Sequence, residues 1–157
     1  MQQHATITEA TFIHDANQRL ARRPRGRPIH RMLVSFSVAY FAAALATDLA
    51  YWQMPDVMWE RFSIWLIAAG LIVAGLAIIA YAIDLAGGRR IDSPAWPRAV
   101  GYALAVLLAL INAFVHSRDG YTAVVPTGLM LSALVVVVLV LTALVARALK
   151  NRHRFGV

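Results

Sequence analysis

The sequence contains no cysteine, which excludes disulfide bonds, thiolate metal sites, iron–sulfur clusters and covalently attached c-type haem. It also lacks the glycine-rich phosphate loop, the HExxH zinc motif and the GxSxG nucleophile motif. Acidic residues are few, at 8 against 15 lysines and arginines. The sequence therefore predicts no catalytic residues and no metal site, and it does not favour an enzyme.

Hydrophobic residues are abundant, making up 60% of the 157 residues, with a mean hydropathy of +0.62. A soluble domain has roughly 45–50%. A helix of about 20 apolar residues crosses the hydrocarbon core of a bilayer, and four runs are long enough or nearly so: residues 32–52, 62–85, 99–115 and 127–149. Short connections make sequential helices antiparallel. The predicted fold class is an all-α integral membrane protein, a four-transmembrane-helix antiparallel up-down bundle formed by residues 29–157.

Basic residues are distributed unevenly between the two sides of this bundle. Six precede the first span, three lie between the second and third spans, and four follow the last span, whereas only Arg61 and Arg118 lie on the other side. The positive-inside rule then places both termini in the cytoplasm, in a bacterial cytoplasmic membrane. The net charge of +7 fits an anionic inner leaflet as the partner of these residues rather than nucleic acid.

Residues 1–28 form a basic arm before the membrane domain. Thr6 and Glu9 fit a capping box, and an apolar face follows them before Pro24 ends the pattern. Two interpretations remain open. The arm contains a helix that lies on the membrane surface, or it is a disordered basic segment.

Small and polar residues recur along one face of each span. The spacing is three and four residues in the first, third and fourth spans and seven in the second, which places each set on one side of its helix. Such seams usually face neighbouring helices, so we favour ordinary helix packing over a ligand cavity. The polar members are Ser37, Tyr40, Asp48, Tyr51, Ser63, Asp84, Tyr102, Asn112, His116, Ser132 and Thr142.

Depth in the membrane sorts the ionisable and polar side chains into two clusters. The inner-face cluster comprises His30, Tyr81, Asp84, Tyr102 and Arg147, and the outer-face cluster comprises Asp48, Asn112 and His116. Charged groups inside spans are costly and usually paired. We favour structural ion pairs over proton or ligand sites, and we expect Asp84 to bond His30, Tyr102 or an arginine such as Arg31.

The histidines make haem the cofactor to consider. A b-type haem needs axial ligands, usually histidines, that face one another across a bundle. His30 and His153 lie on the same side of the membrane, but His153 follows the last span, and His116 lies on the opposite side. We therefore predict no cofactor and retain a haem b bound by His30 and His153 as the alternative.

Several short motifs resemble those of an uncharacterised bacterial membrane family, the domain-of-unknown-function family 2231. Residues 26–34, GRPIHRMLV, resemble its opening His-Pro-Ile-His-Pro-Met-Leu-Val motif, and residues 47–52, 83–84 and 152–157 resemble later motifs. Arg27, Arg31 and Ser35 stand where the family often has His, Pro and His. The resemblance implies a four-helix membrane protein of unknown function, sometimes suspected of redox association. If those histidines bind a metal or haem in relatives, ligands have been lost here.

Three functional hypotheses follow. The favoured one is an accessory or scaffold subunit that packs against other membrane proteins or a second copy of itself. The first alternative is a haem-binding or quinone-linked electron-transfer protein with His30 as the best ligand candidate. The second alternative is a small proton-linked transporter that uses Asp48 and Asp84. The substrate, the partner and the oligomeric state do not follow from the sequence.

The charge distribution predicts the topology directly. A reporter fused after Lys150 should report a cytoplasmic C terminus, because four spans return the chain to the side on which it started. A periplasmic signal at that position would mean an odd number of spans, and the short third segment would be the first one to doubt.

Overall fold

The computed structural model describes residues 29–87, 96–118 and 124–154, with side chains as far as residue 151. Within them the chain forms four long helices: α1 (Ile29–Gln53), α2 (Val57–Ala86), α3 (Trp96–His116) and α4 (Leu129–Arg154). A short turn, Val124–Gly128, precedes α4. The basic arm, residues 26–28 of the opening motif and the His153 side chain lie outside the described residues.

All four helices are long and apolar enough to span a membrane. α1, α2 and α3 contain the first three predicted spans and extend each by a few residues, whereas α4 begins two residues after the start of the fourth predicted span and ends five residues beyond it. The predicted all-α membrane bundle is confirmed. In lipid a backbone without internal hydrogen bonds has no water to satisfy it, so apolar segments of this length form helices even where valine is frequent. Local hydrogen bonds determine where α2 begins and ends. Asp56 caps α2 by accepting a hydrogen bond from the Met58 amide at 2.9 Å, and the Gly87 amide closes the helix on the Ile83 carbonyl.

The helices pack as a four-membered ring. α1 lies beside α2 and α4, and α3 lies beside the same two, so that α1 and α3 face each other diagonally. The start of α1 meets the end of α2 through His30 and Asp84, and the end of α1 meets the start of α2 through Asp48 and Ser63. Sequential helices are therefore antiparallel, as the short connections predict.

The buried seams coincide with the predicted small and polar faces. In α2 the buried positions recur every three or four residues, at Glu60, Ser63, Ile67, Gly70, Ala74 and Ala77. The apolar core is small, with Phe41, Ala105, Ala109 and Val135 at its centre. Large apolar side chains such as Trp65 and Ile72 point outward, where lipid acyl chains solvate them. Close backbone packing and polar contacts, rather than apolar burial, thus hold these helices together.

α3 and α4 pack closely at Gly101. A β-carbon built there would lie 2.0 Å from Thr142 Oγ1 and 2.8 Å from Thr142 Cβ. Thr142 cannot easily turn away, because its hydroxyl donates to the Val138 carbonyl at 2.7 Å. Gly75 on α2 is the opposite case, since a β-carbon there would meet nothing within 4 Å.

This contrast predicts opposite effects for one chemical change at two positions. Gly101→Ala should destabilise the bundle by about 1–3 kcal/mol, because α3 and α4 must separate to admit the methyl group. Gly75→Ala is the matched control and should be neutral or stabilising by up to about 1 kcal/mol, through helix propensity alone. Thermal unfolding in detergent measures both. Equal stability of the two variants would contradict the close approach.

Candidate functional site

The Asp48 carboxylate connects all four helices. It belongs to α1, its Oδ1 atom accepts a hydrogen bond from Ser63 Oγ of α2, and its Oδ2 atom accepts one from Ser132 Oγ of α4 at 2.5 Å. On the α3 side, His116 Nε2 lies 3.1 Å from Oδ1, and Asn112 Nδ2 donates to Ser132 Oγ at 2.7 Å. We call Asp48, Ser63, Asn112, His116 and Ser132 the His116 network.

Hydrogen-bond chemistry fixes where protons lie in this network. His116 Nδ1 is 3.0 Å from the Asn112 carbonyl oxygen, which can only accept, so Nδ1 carries a proton. A second proton must then lie between Nε2 and the Asp48 carboxylate, because two lone pairs at 3.1 Å would repel. Both serine hydroxyls donate to Asp48. The arrangement is therefore a buried His–Asp pair that shares one proton between His116 Nε2 and Asp48 Oδ1.

The network is tightly enclosed. The side chains of Asp48 and His116 are both 0% exposed. Gly128 packs against the imidazole, and a β-carbon there would lie 2.7 Å from His116 Cε1, so no larger residue fits without displacing the ring. One acceptor remains open, since Asn112 Oδ1 is buried and has no hydrogen-bond partner among the described residues.

Glu60 is a buried carboxylate that sequence reasoning missed. It lies in the first turn of α2, its residue is 6% exposed, and it interacts electrostatically with His116. The predicted second span begins at residue 62, which places Glu60 outside that span. Its position three residues before Ser63 on the same seam was the signal that could have found it.

A second His–Asp pair lies at the opposite end of the bundle. His30 Nδ1 is 2.8 Å from Asp84 Oδ2, and the two side chains are 15% and 14% exposed. This confirms the expectation that Asp84 has a specific partner. The Tyr81 ring meets the imidazole edge-on, with 5.4 Å between ring centroids. Nearby, Ser37 Oγ donates to the Val34 carbonyl at 2.9 Å, so Tyr102 must donate the 2.6 Å bond that joins its hydroxyl to Ser37.

A cavity of about 350 Å³ opens beside this pair, between α1, α2 and α3. We call it the His30 pocket. Five of its lining side chains are polar or charged and five are apolar: His30, Arg31, Tyr81, Arg98 and Tyr102, with Val34, Ala77, Ile78, Ala99 and Ala103. The sequence analysis favours helix packing over a ligand cavity, and the position of this cavity depends on how three helices are arranged relative to one another.

The predicted clusters are brought together to different degrees. Asp48, Asn112 and His116 of the outer-face cluster meet in one network. Of the inner-face cluster, His30, Tyr81 and Tyr102 line the His30 pocket and Asp84 bonds His30. Arg147 is exposed on α4 and does not line it. Among the described residues, no group of three or more His, Asp or Glu side chains is placed to hold a metal ion.

Comparison with known proteins places the chain in a family. The family described as predicted membrane protein (DUF2231) matches residues 26–157, which include all four helices. The chain belongs to this family. The match confirms the resemblance seen in the opening motif, and DUF2231 is a family of unknown function. Neither a search of curated proteins nor one of solved structures finds a match for the chain.

The two His–Asp pairs should differ in their contribution to stability. Asp48→Ala leaves the buried His116 ring and two serine hydroxyls without their partner, and we expect a loss of about 3–5 kcal/mol. Asp84→Ala removes one partner from a half-buried histidine, and we expect about 1–3 kcal/mol. Unfolding in detergent measures both variants.

Two controls sharpen this comparison. Asp48→Asn keeps the side-chain volume and one acceptor oxygen, so its loss should be smaller than that of Asp48→Ala. His30→Ala combined with Asp84→Ala should cost little more than either change alone, because the two side chains act as one unit. A larger loss for Asp84→Ala than for Asp48→Ala would show that the ranking is wrong.

Proposed function

We propose that this DUF2231 protein is an accessory subunit of a larger membrane assembly and that its His30 pocket binds a lipid-soluble quinone. The observation that carries the proposal is the pocket itself. Its volume of about 350 Å³ falls within the roughly 300–1,000 Å³ typical of small-molecule sites. Its lining combines apolar walls with a few polar groups, the combination that such sites use to bind and orient a ligand.

The polar groups suit a ring that carries carbonyl oxygens. Nδ1 of His30 is engaged by Asp84, which leaves Nε2 as the ring nitrogen for a ligand. Protonated Nε2 donates a hydrogen bond to a quinone carbonyl, and neutral Nε2 accepts one from the hydroxyl of the quinol. Tyr81 supplies a hydroxyl group, and Tyr81 and Tyr102 both supply flat aromatic faces beside it. The apolar part of a quinone can then lie along Ala77, Ile78 and Ala103.

The accessory role follows from the chemistry of a quinone. Reduction to the quinol adds two electrons and two protons. His30 and Asp84, joined by a hydrogen bond, are the proton-transfer groups that the pocket offers. The electrons would come from a redox protein in the same assembly. The outward apolar faces of the four helices offer surface for such a partner, as they do for lipid.

We place the pocket at the cytoplasmic end, in a bacterial cytoplasmic membrane with both termini inside. Thirteen of the 15 lysines and arginines lie on that side in the predicted topology, and Arg31 and Arg98 of the pocket are among them. An anionic inner leaflet would attract these side chains.

Haem binding is a second candidate, favoured by one observation. A histidine that binds a metal usually donates its other ring N–H to a carboxylate, and His30 Nδ1 and Asp84 have this relation. His30 Nε2 would be the ligand atom. The visible absorption spectrum of the purified protein decides between the candidates, because bound haem gives a Soret band and quinone does not.

Quinone binding can be measured with a short-chain quinone added to the purified protein in nanodiscs. We expect saturable quenching of tyrosine and tryptophan fluorescence. Ala103→Phe should weaken binding at least tenfold, or about 1.4 kcal/mol, because the new ring occupies the pocket from an exposed position without touching the core. Leu107→Phe is the matched control, since this exposed residue lies one turn along α3 and does not line the pocket.

Three results would contradict the proposal in separate ways. Equal binding by Ala103→Phe and the native protein would place the quinone elsewhere. Absence of binding would contradict the proposal that the protein binds a quinone. Purification in mild detergent as a free monomer, without other membrane proteins, would remove the accessory role.

A further inference from the structure

The contact between His116 and Asp48 needs a proton between its two acceptor atoms. Nδ1 of His116 is committed to the Asn112 carbonyl, and the proton between Nε2 and Asp48 keeps two acceptors from facing each other. We propose that the His116 network and Glu60 together form a proton-binding site that exchanges with the aqueous phase at its end of the bundle. The proposal is independent of the His30 pocket, which lies at the other end.

The charges around the imidazole favour proton uptake. Asp48 faces it from α1 and Glu60 from α2, while α4 contributes only the neutral hydroxyl of Ser132. Two carboxyl groups thus lie near one imidazole where little water screens them. A buried carboxylate is costly unless a proton or another cation is bound beside it. The smallest cation available is the proton, and the tight packing of Gly128 against His116 leaves the ring little room for a larger one.

Glu60 is placed as the entrance to this site. It lies in the first turn of α2, at the end of the bundle, whereas Asp48 is deeper and 0% exposed. A hydronium ion that reaches Glu60 leaves its proton on the carboxylate and departs as water. The reverse step returns the proton to solvent. Glu60 thus provides a titratable group between the aqueous phase and the His116–Asp48 pair.

Asn112 provides independent evidence that the network can accept a further hydrogen bond. Its Nδ2 atom donates to Ser132, so its Oδ1 atom lies on the other arm of the same planar amide, next to the network. That oxygen is buried and has no hydrogen-bond partner within the part of the chain that the structure describes. A buried acceptor normally has a donor. Water or hydronium, the carriers of an exchanging proton, are donors of the required kind.

The test follows the protonation of His116 by nuclear magnetic resonance. The protein is labelled with ¹⁵N-histidine and held in nanodiscs, and His116→Gln identifies the signals of this ring among the five histidines. In the native protein we expect both ring nitrogens to be protonated near neutral pH. One proton should leave reversibly as the pH is raised. A spectrum unchanged from about pH 5 to about pH 10 would overturn the proposal, because the proton would then be a fixed part of the structure.

Two matched variants test whether Glu60 is the entrance to the proton-binding site. Glu60→Gln keeps the shape of the side chain and removes its carboxyl group, so His116 should lose its proton at a lower pH than in the native protein. Asp56→Asn removes an exposed carboxylate four residues earlier on the same helix and keeps an acceptor for the N-cap. It should leave the titration nearly unchanged. Equal titration curves for the two variants would show that Glu60 takes no part.

Discussion

The structure depends on how a carboxylate can be tolerated inside an apolar bundle. Asp48 is fully buried, and lipid offers it no water. Its two oxygens therefore take donors from the other three helices, through Ser63, His116 and Ser132. Because these donors sit at fixed heights on their helices, a slip of any helix by one turn, about 5.4 Å, would break a bond to the carboxylate. One buried charge thus fixes the register of all four helices.

This constraint explains why the two ends of the bundle differ. At the network end the helices are drawn together closely enough that Gly128 is needed to admit the His116 ring. At the other end, two hydrogen bonds each join one pair of helices, from His30 to Asp84 and from Tyr102 to Ser37. The His30 pocket lies at this end, between α1, α2 and α3. The end at which one carboxyl group connects all four helices is thus enclosed, and the cavity lies at the other end.

The parts of this structure that one helix determines could be predicted from the sequence, and the parts that depend on several helices could not. Length and hydropathy gave the four spans, and periodicity gave the buried seams. Pairing of Asp84 followed from the cost of an isolated charge in a span. The pocket was missed because it arises from the offset of three helices. Arg147 was assigned to the inner-face cluster by depth alone, but it lies on the exposed face of α4, since depth does not determine which way a side chain points.

The chain therefore contains two His–Asp pairs that differ in exposure and in what their histidines can bind. His30 and Asp84 are partly exposed, and Nε2 of His30 remains available at the edge of a cavity, so this pair is suited to a ligand. His116 and Asp48 are enclosed, and both ring nitrogens of His116 are used within the protein. Removing the shared proton from the enclosed pair would set a carboxylate against a bare nitrogen at 3.1 Å and weaken the diagonal link between α1 and α3. Protonation and helix packing are therefore coupled at that end.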